Sequence, residues 1–205
     1  MQKTKDIIFN TALEMFSEKG YDNISTREIA RTAGVNESTA YYYYKSKEAI
    51  LNDILSVYRQ KLSRYLITKE QVEHYLLTDT PRELLRRFIS HFKDSEAIFM
   101  VRANRIVSMQ QYTNPVAKDL VMDQLMDKTK ASIKGALDIL IERSLIPIFD
   151  TEPISEIWCD FLYSQSIKHA NHFFYGDTDQ LKSGSFIAYG NVLIDMAVTA
   201  KLPKE

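Results

Sequence analysis

No proline occurs before Pro81, and apolar residues return every three or four positions along nearly the whole chain. Without proline a segment keeps every amide donor, and a 3.6-residue apolar period buries one stripe of each helix. Ile8, Phe9, Ala12, Leu13 and Phe16 form the first stripe, and Gly20 follows Lys19 where a left-handed residue ends a helix. Ser25, with Glu28 three places on, is a capping box that opens a short second helix carrying Ile29, Ala30 and Ala33 as far as Gly34. Asn36 is a suitable N-cap for a third short helix through four consecutive tyrosines. Ile50, Ile54, Leu55, Tyr58, Leu62 and Tyr65 predict a long fourth helix from Lys47 to about Lys69.

Proline punctuates the rest. Thr80-Pro81 starts a helix with Leu84, Leu85, Phe88, Ile89 and Phe92, since proline suits the first helical position. Another helix is expected over residues 96–111. Asn114-Pro115 begins a long one carrying Leu120, Leu125, Ile133, Leu137 and Leu140. After a loop between Pro147 and Pro153 come an aromatic helix over 154–175, ending at Gly176, and a last one over 179–201. The expectation is an all-α fold of nine helices: a three-helix domain, residues 1–46, and a larger helical domain, residues 47–205. Six Gly and five Pro in 205 residues are too few for a turn-rich β-sandwich or barrel.

The charge balance narrows function by position, not by amount. Twenty-six Lys and Arg against twenty-seven Asp and Glu leave a net charge of −1. Residues 1–50 hold seven of each sign. A nucleic-acid role must therefore rest on where cations sit. The single Cys159 permits no internal disulfide or thiolate zinc site and reads as a buried, inert thiol. With no run of 18 apolar residues and no apolar leader, a cytoplasmic, nucleoid-associated location is expected.

Two helices over residues 25–44, joined at Ala33-Gly34-Val35, have the spacing of a helix-turn-helix. On the second, Glu37 and Tyr41 are four apart, as are Ser38 and Tyr42, so each pair shares a face. Ala40 and Tyr44 lie on a neighbouring face and can pack inward with Val35. Phenols suit a groove, because hydroxyls bond phosphate and rings lie against sugar or thymine methyl. Thr26 and Arg27 start the first helix of the pair, where amides and the helix dipole attract phosphate. Lys47 can add a point charge. Glu37 either accepts from a cytosine amine or complements the helix dipole.

Thr11-Ala12-Leu13, Phe16, Gly20-Tyr21, Ser25 through Ala30, Ala33-Gly34-Val35 and Thr39 through Ile50 resemble the DNA-binding domain of the tetracycline-repressor (TetR) family. That resemblance covers about the first fifty residues; the rest resembles the family in length and all-α character. It implies a homodimeric transcription regulator, usually a repressor, released from a palindromic double-stranded operator by a small apolar or amphipathic molecule. It implies DNA contacts at Thr26, Arg27, Thr39, Tyr41, Tyr42 and Lys47, to which position on the reading helix adds Glu37 and Ser38. Asn36, Glu37 and Ser38 stand where the family commonly has Ser, Lys and Gly. Ala40 and Tyr44 replace its usual Leu and Phe.

In the larger half, methionines and aromatics are candidates for an adaptable pocket: Phe88, Phe99, Met100, Met109, Tyr112, Met122, Met126, Trp158 and Phe161. An ordinary core would use the same residues. Arg102 and Arg105 read as a solvated face, or as anion selectors if they line a pocket. His169 and His172, three apart, are too few ligands for zinc, so no metal or cofactor is expected. The last two helices mix bulky with small residues, including Gly184 and Gly190, which permits close helix approach. Ser166, Ala170, Phe173, Tyr189 and Leu193 are dimer-seam candidates, although packing within one chain explains the pattern equally well. The alternative function is a DNA-binding protein governed by a protein partner, with a filled core and no small-molecule pocket. No phosphate loop, metal motif or nucleophile-base set suggests an enzyme.

Overall fold

The structure, a computed structural model, describes residues 2–89, 94–176 and 185–199; the expected positions Phe92 and Gly184 lie outside them. Its helices are α1 (Gln2–Lys19), α2 (Thr26–Thr32), α3 (Glu37–Tyr43), α4 (Lys47–Ser63), α5 (Lys69–Tyr75), α6 (Pro81–Arg87) and α7 (Asp94–Gln110). Next, α8 (Pro115–Asp119), a π-helical stretch (Leu120–Asp127) and α9 (Lys128–Glu142) run on without a break, followed by α10 (Thr151–Tyr175) and α11 (Ser185–Thr199). The described residues contain no strand. The fold is all-α, as the periodicity predicts.

Two elements depart from the expectation. The long fourth helix ends at Ser63, and α5 follows as a separate short helix. Its start has a local cause: the Thr68 side chain accepts from Gln71 N–H while the Gln71 side chain accepts from Thr68 N–H, a full capping box. The second departure is the π-helical stretch. Leu120 and Leu125 stand five apart, a spacing that a 3.6-residue period does not place on one stripe.

The chain divides into two compact units, Met1–Lys61 with Asp94–Val121, and Leu62–Lys93 with Met122–Glu205. In the first unit α7 packs with α1. The Arg102 guanidinium donates to Ser17 Oγ at 2.9 Å and to Glu18 Oε1 at 3.0 Å, with its side chain only 15% exposed. That corrects the solvated-face reading of Arg102: three residues of α1, Glu14 included, gather its charge. Phe9 and Phe99 stack at 6.3 Å, and Tyr58 Oη donates to Asn104 Oδ1 at 3.0 Å. Ile8, Ala12, Phe16, Ile29, Ile50 and Ile54 fill the centre of this unit.

The second unit is built around Leu84, Leu85, Ile133, Leu137, Leu140 and Trp158, all fully buried. Gly190 lets α11 approach α6: a Cβ there would collide with the Ile89 side chain. Close approach at this small residue is therefore used within one chain. Arg86 Nε donates to Asn191 Oδ1 at 3.3 Å, and Arg82 pairs with Asp195 beside it.

Candidate nucleic-acid interface and ligand cavity

The reading helix is set by its neighbours in sequence. Gly34 takes φ 69°, a left-handed conformation that turns the chain sharply between α2 and α3. Val35 N–H then bonds Ala30 C=O at 3.0 Å. At the start of α2 the Ser25 side chain accepts from Glu28 N–H, and Glu28 Oε2 accepts from Ser25 N–H at 2.8 Å. These bonds from Ser25, its hydroxyl first, hold the Glu28 carboxyl below its ordinary range. The box uses the Ser25 and Glu28 amides, so Thr26 and Arg27 keep the helix-start amides that have no intrahelical acceptor. Asn36 occupies the N-cap position of α3 without a side-chain capping bond.

On α3 the rings divide. Ala40 is fully buried and Tyr44, just past the helix, is 5% exposed, while Tyr41 and Tyr42 are 46% and 61% exposed. Tyr44 Oη donates to Asp53 Oδ2 at 2.7 Å, and Lys5 Nζ reaches the same oxygen at 2.9 Å. Burial, then the bond to Asp53, pushes the Tyr44 phenol far above its usual range. That explains a tyrosine where the family commonly has phenylalanine: a buried phenol needs a partner, and α4 supplies one. Burial pushes the Asp53 carboxyl up, but bonds from Lys5 and Tyr44 outweigh it and hold the group below its ordinary range.

Of the eight expected DNA-contact residues, Arg27, Glu37, Ser38, Tyr41 and Tyr42 are exposed, Thr39 and Lys47 are half-buried, and Thr26 is buried. Thr26 thus offers its backbone amide more than its side chain. Lys47 Nζ donates to Tyr21 C=O at 2.9 Å and lies 4.1 Å from the Tyr21 ring centre, which fixes the position of its charge. Arg27 Nε and Glu37 Oε1 pair at 2.8 Å, with side chains 82% and 51% exposed. This is a third use for Glu37 beside the two that the sequence left open. Tyr42 rests edge-on against Tyr43 at 5.1 Å, with Lys45 Nζ 5.9 Å from its ring centre. Lys45 is absent from the expected set, although its place directly after the tyrosine run was a readable signal.

The pocket candidates do not come together. Met109, Tyr112 and Met122 are 39%, 87% and 53% exposed, Met100 is buried in the first unit, and Phe99 stacks on Phe9 there. Trp158 is buried in the second core with Phe161 against it, and Met126 is half-buried. Phe88 alone of the nine lines the second unit's cavity of about 120 Å³, among Leu62, Leu66, Ile89, Leu125 and Leu162. The π-helical stretch carries Gln124 and Leu125 into its wall. Cys159 donates its thiol to the carbonyls of Leu125 and Met126 at 3.5 and 3.3 Å. Burial, with Asp160 second, pushes that thiol up to about 11, consistent with an inert core residue.

Among the dimer candidates Ser166 lines this cavity, Ala170 is buried and Leu193 packs on the core. Phe173 is half-buried against Phe174, and Tyr189 is 59% exposed. His169 lines the cavity with Gln165. No group of three or more His, Cys, Asp or Glu able to hold a metal occurs among the described residues. Nor is any helix among them long and apolar enough to cross a membrane.

Residues 8–54 match the family model for bacterial regulatory proteins, tetR family. The chain is 34% identical over 88 residues to an uncharacterized HTH-type transcriptional regulator, YuxN, of Bacillus subtilis (strain 168), covering 42% of this chain and 28% of that one. It is 28% identical over 151 residues to a fatty acid metabolism regulator protein of the same organism, covering 68% and 75%. A bacterial regulatory protein in the tetR family from Rhodococcus RHA1 shares the fold, with a TM-score of 0.65 at 18% identity over 97% of this chain and 98% of that one. Residues 8–54 thus carry a segment like that of the tetR family of bacterial regulatory proteins, and the described fold is shared with a structure of that family. It spans less than a third of the length of the first curated relatives it matches.

Proposed function

We propose that the protein is a sequence-specific DNA-binding transcriptional regulator, a repressor that a small ligand releases from its operator. The observation that carries this reading is the division of side chains along α3: Ala40 and Tyr44 anchor the helix inward, while Tyr41 and Tyr42 are exposed and Glu37 at its start pairs with exposed Arg27. Within residues 1–46 and at Lys47, phosphate meets the amides of Thr26 and Arg27 and the charges of Lys45 and Lys47. Ser38, Thr39, Tyr41 and Tyr42 face the groove edge. Two such heads, joined as a homodimer, read a palindrome with half-sites about one helical turn apart. The dimer contact falls on α11, where Tyr189, Val192 and Met196 make an exposed apolar row at i, i+3 and i+7. The protein works in the cytoplasm, at the nucleoid.

The cavity of the second unit favours a small-molecule signal over the alternative of a protein partner and a filled core. The ligand binds more tightly to the conformation whose heads are misplaced for DNA, and shifts the population by that difference. Selection from a random duplex library tests the reading and should return a palindrome. On that site Lys47→Ala lowers the salt slope by about one and weakens all sequences alike. Tyr42→Ala changes the preferred bases while the salt slope holds. An unaltered slope in the lysine variant removes Lys47 from the phosphate contacts.

A further inference from the structure

The cavity of the second unit is lined by apolar residues and by a few uncharged polar ones. From α10 come Tyr163, Gln165, Ser166 and His169 with Leu162, and Gln124 and Thr129 line it as well. Among the described residues no Lys, Arg, Asp or Glu lines it. Gln124 Nε2 is committed to Asp123 Oδ2 at 2.5 Å, and Lys128 Nζ is drawn to the same oxygen at 3.0 Å. Both nearby charges therefore answer each other. Burial, and then the neighbouring His172, hold the His169 imidazole below its ordinary range, so it meets the cavity neutral at neutral pH. Ser166 Oγ donates its hydrogen to Tyr163 C=O at 2.7 Å, so any further bond it makes is as an acceptor.

A carboxylate entering this space would lose hydration and gain no counter-charge. A neutral hydroxyl would instead find acceptors. The volume of about 120 Å³ is of the order of the roughly 150 Å³ apolar cavity known to hold benzene. We propose that this cavity binds an uncharged ligand of single-ring size that donates one hydroxyl to the polar side chains of α10, and that it rejects carboxylates of that size. The inference rests on reading the second unit as the ligand-responsive part of the protein.

The test uses the full chain and three probes of similar size: 4-methylphenol, toluene and benzoate, titrated calorimetrically in the absence of DNA. The phenol should bind at least about tenfold more tightly than benzoate, with toluene between them. Ser166→Val, which removes the acceptor and fills space, and Leu162→Trp, which fills apolar space, should each weaken the phenol about tenfold or more. If circular dichroism shows that Leu162→Trp does not fold, the serine variant alone decides. Benzoate binding as tightly as the phenol, no binding by any probe, or full phenol binding by the folded variants overturns the proposal. Phenol binding that leaves operator affinity unchanged supports the cavity assignment and sinks ligand gating. Operator release by another compound, from a protein that binds none of the three probes, sinks the cavity assignment and leaves gating standing.

Discussion

The two aromatic helices α3 and α10 use similar residues for opposite ends. On α3, Tyr41 and Tyr42 stand in solvent while Tyr44 just beyond it is buried. On α10, Trp158 is completely buried, with the Phe88 ring 6.4 Å away. The difference lies in what surrounds each helix. α3 has seven residues and one buried side chain, Ala40, so most of its surface has nothing to pack against. α10 has 25 residues and passes through the second core, where the buried Trp158 ring contributes apolar burial worth about 1.5–3 kcal/mol. Trp158 of α10 thus helps hold the fold together, and Tyr41 and Tyr42 of α3 are left available for contact.

Trp158→Ala would sharpen that contrast most. It should lower unfolding stability by about 3–5 kcal/mol in urea, whereas Tyr42→Ala should stay within about 0.5 kcal/mol of the parent. Trp158 Nε1 is buried without a partner among the described residues, so Trp158→Phe should cost clearly less than the alanine change. A stability loss from Tyr42→Ala equal to that from Trp158→Ala would break the comparison.

Arg102→Met comes next. It removes the donors that hold α1 to α7 and leaves Glu14 and Glu18 facing each other, an expected loss of about 1.5–3 kcal/mol. Tyr44→Phe should cost about 1 kcal/mol, and its effect should depend on pH. Asp53 has a folded pKa below its unfolded one, so its contribution is present above the ordinary carboxylate range and is lost as pH falls through the folded value. Removing the Tyr44 hydroxyl raises the folded value, and the stability profile in acid should flatten. An identical acid profile in the variant would show that the bond to Asp53 contributes nothing.

The smallest effect on stability should come from Glu37→Gln, within about 0.5 kcal/mol, because an exposed ion pair contributes about 0–1 kcal/mol. On DNA the same change releases Arg27 to phosphate. Affinity for non-specific duplex should rise and the salt slope steepen by about one. An unchanged slope would mean that Arg27 already leaves Glu37 in the complex.

The helix-turn-helix was legible because its determinants are local. Ser25 with Glu28, Gly34 at its left-handed turn and the inward Ala40 act within a few residues of one another, and their types declare their roles. Thr68 with Gln71 announced α5 in the same way, though that signal is easily overlooked between two stronger stripes. The cavity was not legible. Its wall joins Leu62, Phe88, Leu125 and Ser166 from four separated stretches, and nothing in a methionine-rich segment tells a lining residue from an exposed one. Met109 and Met122, both in that segment, are exposed. Arg102 likewise seemed a surface residue until the packing of α7 on α1 brought Ser17 and Glu18 to it.

Periodicity, capping and turn residues by themselves determined an all-α chain and the outward phenols of its reading helix, since those depend on spacings of three or four residues. Only the tertiary structure decided that Tyr44 bonds Asp53, that Glu37 holds Arg27, and that Gly190 lies against Ile89. Such contacts arise from how whole helices cross, and that crossing is set by the summed packing of many side chains instead of by any short stretch of sequence.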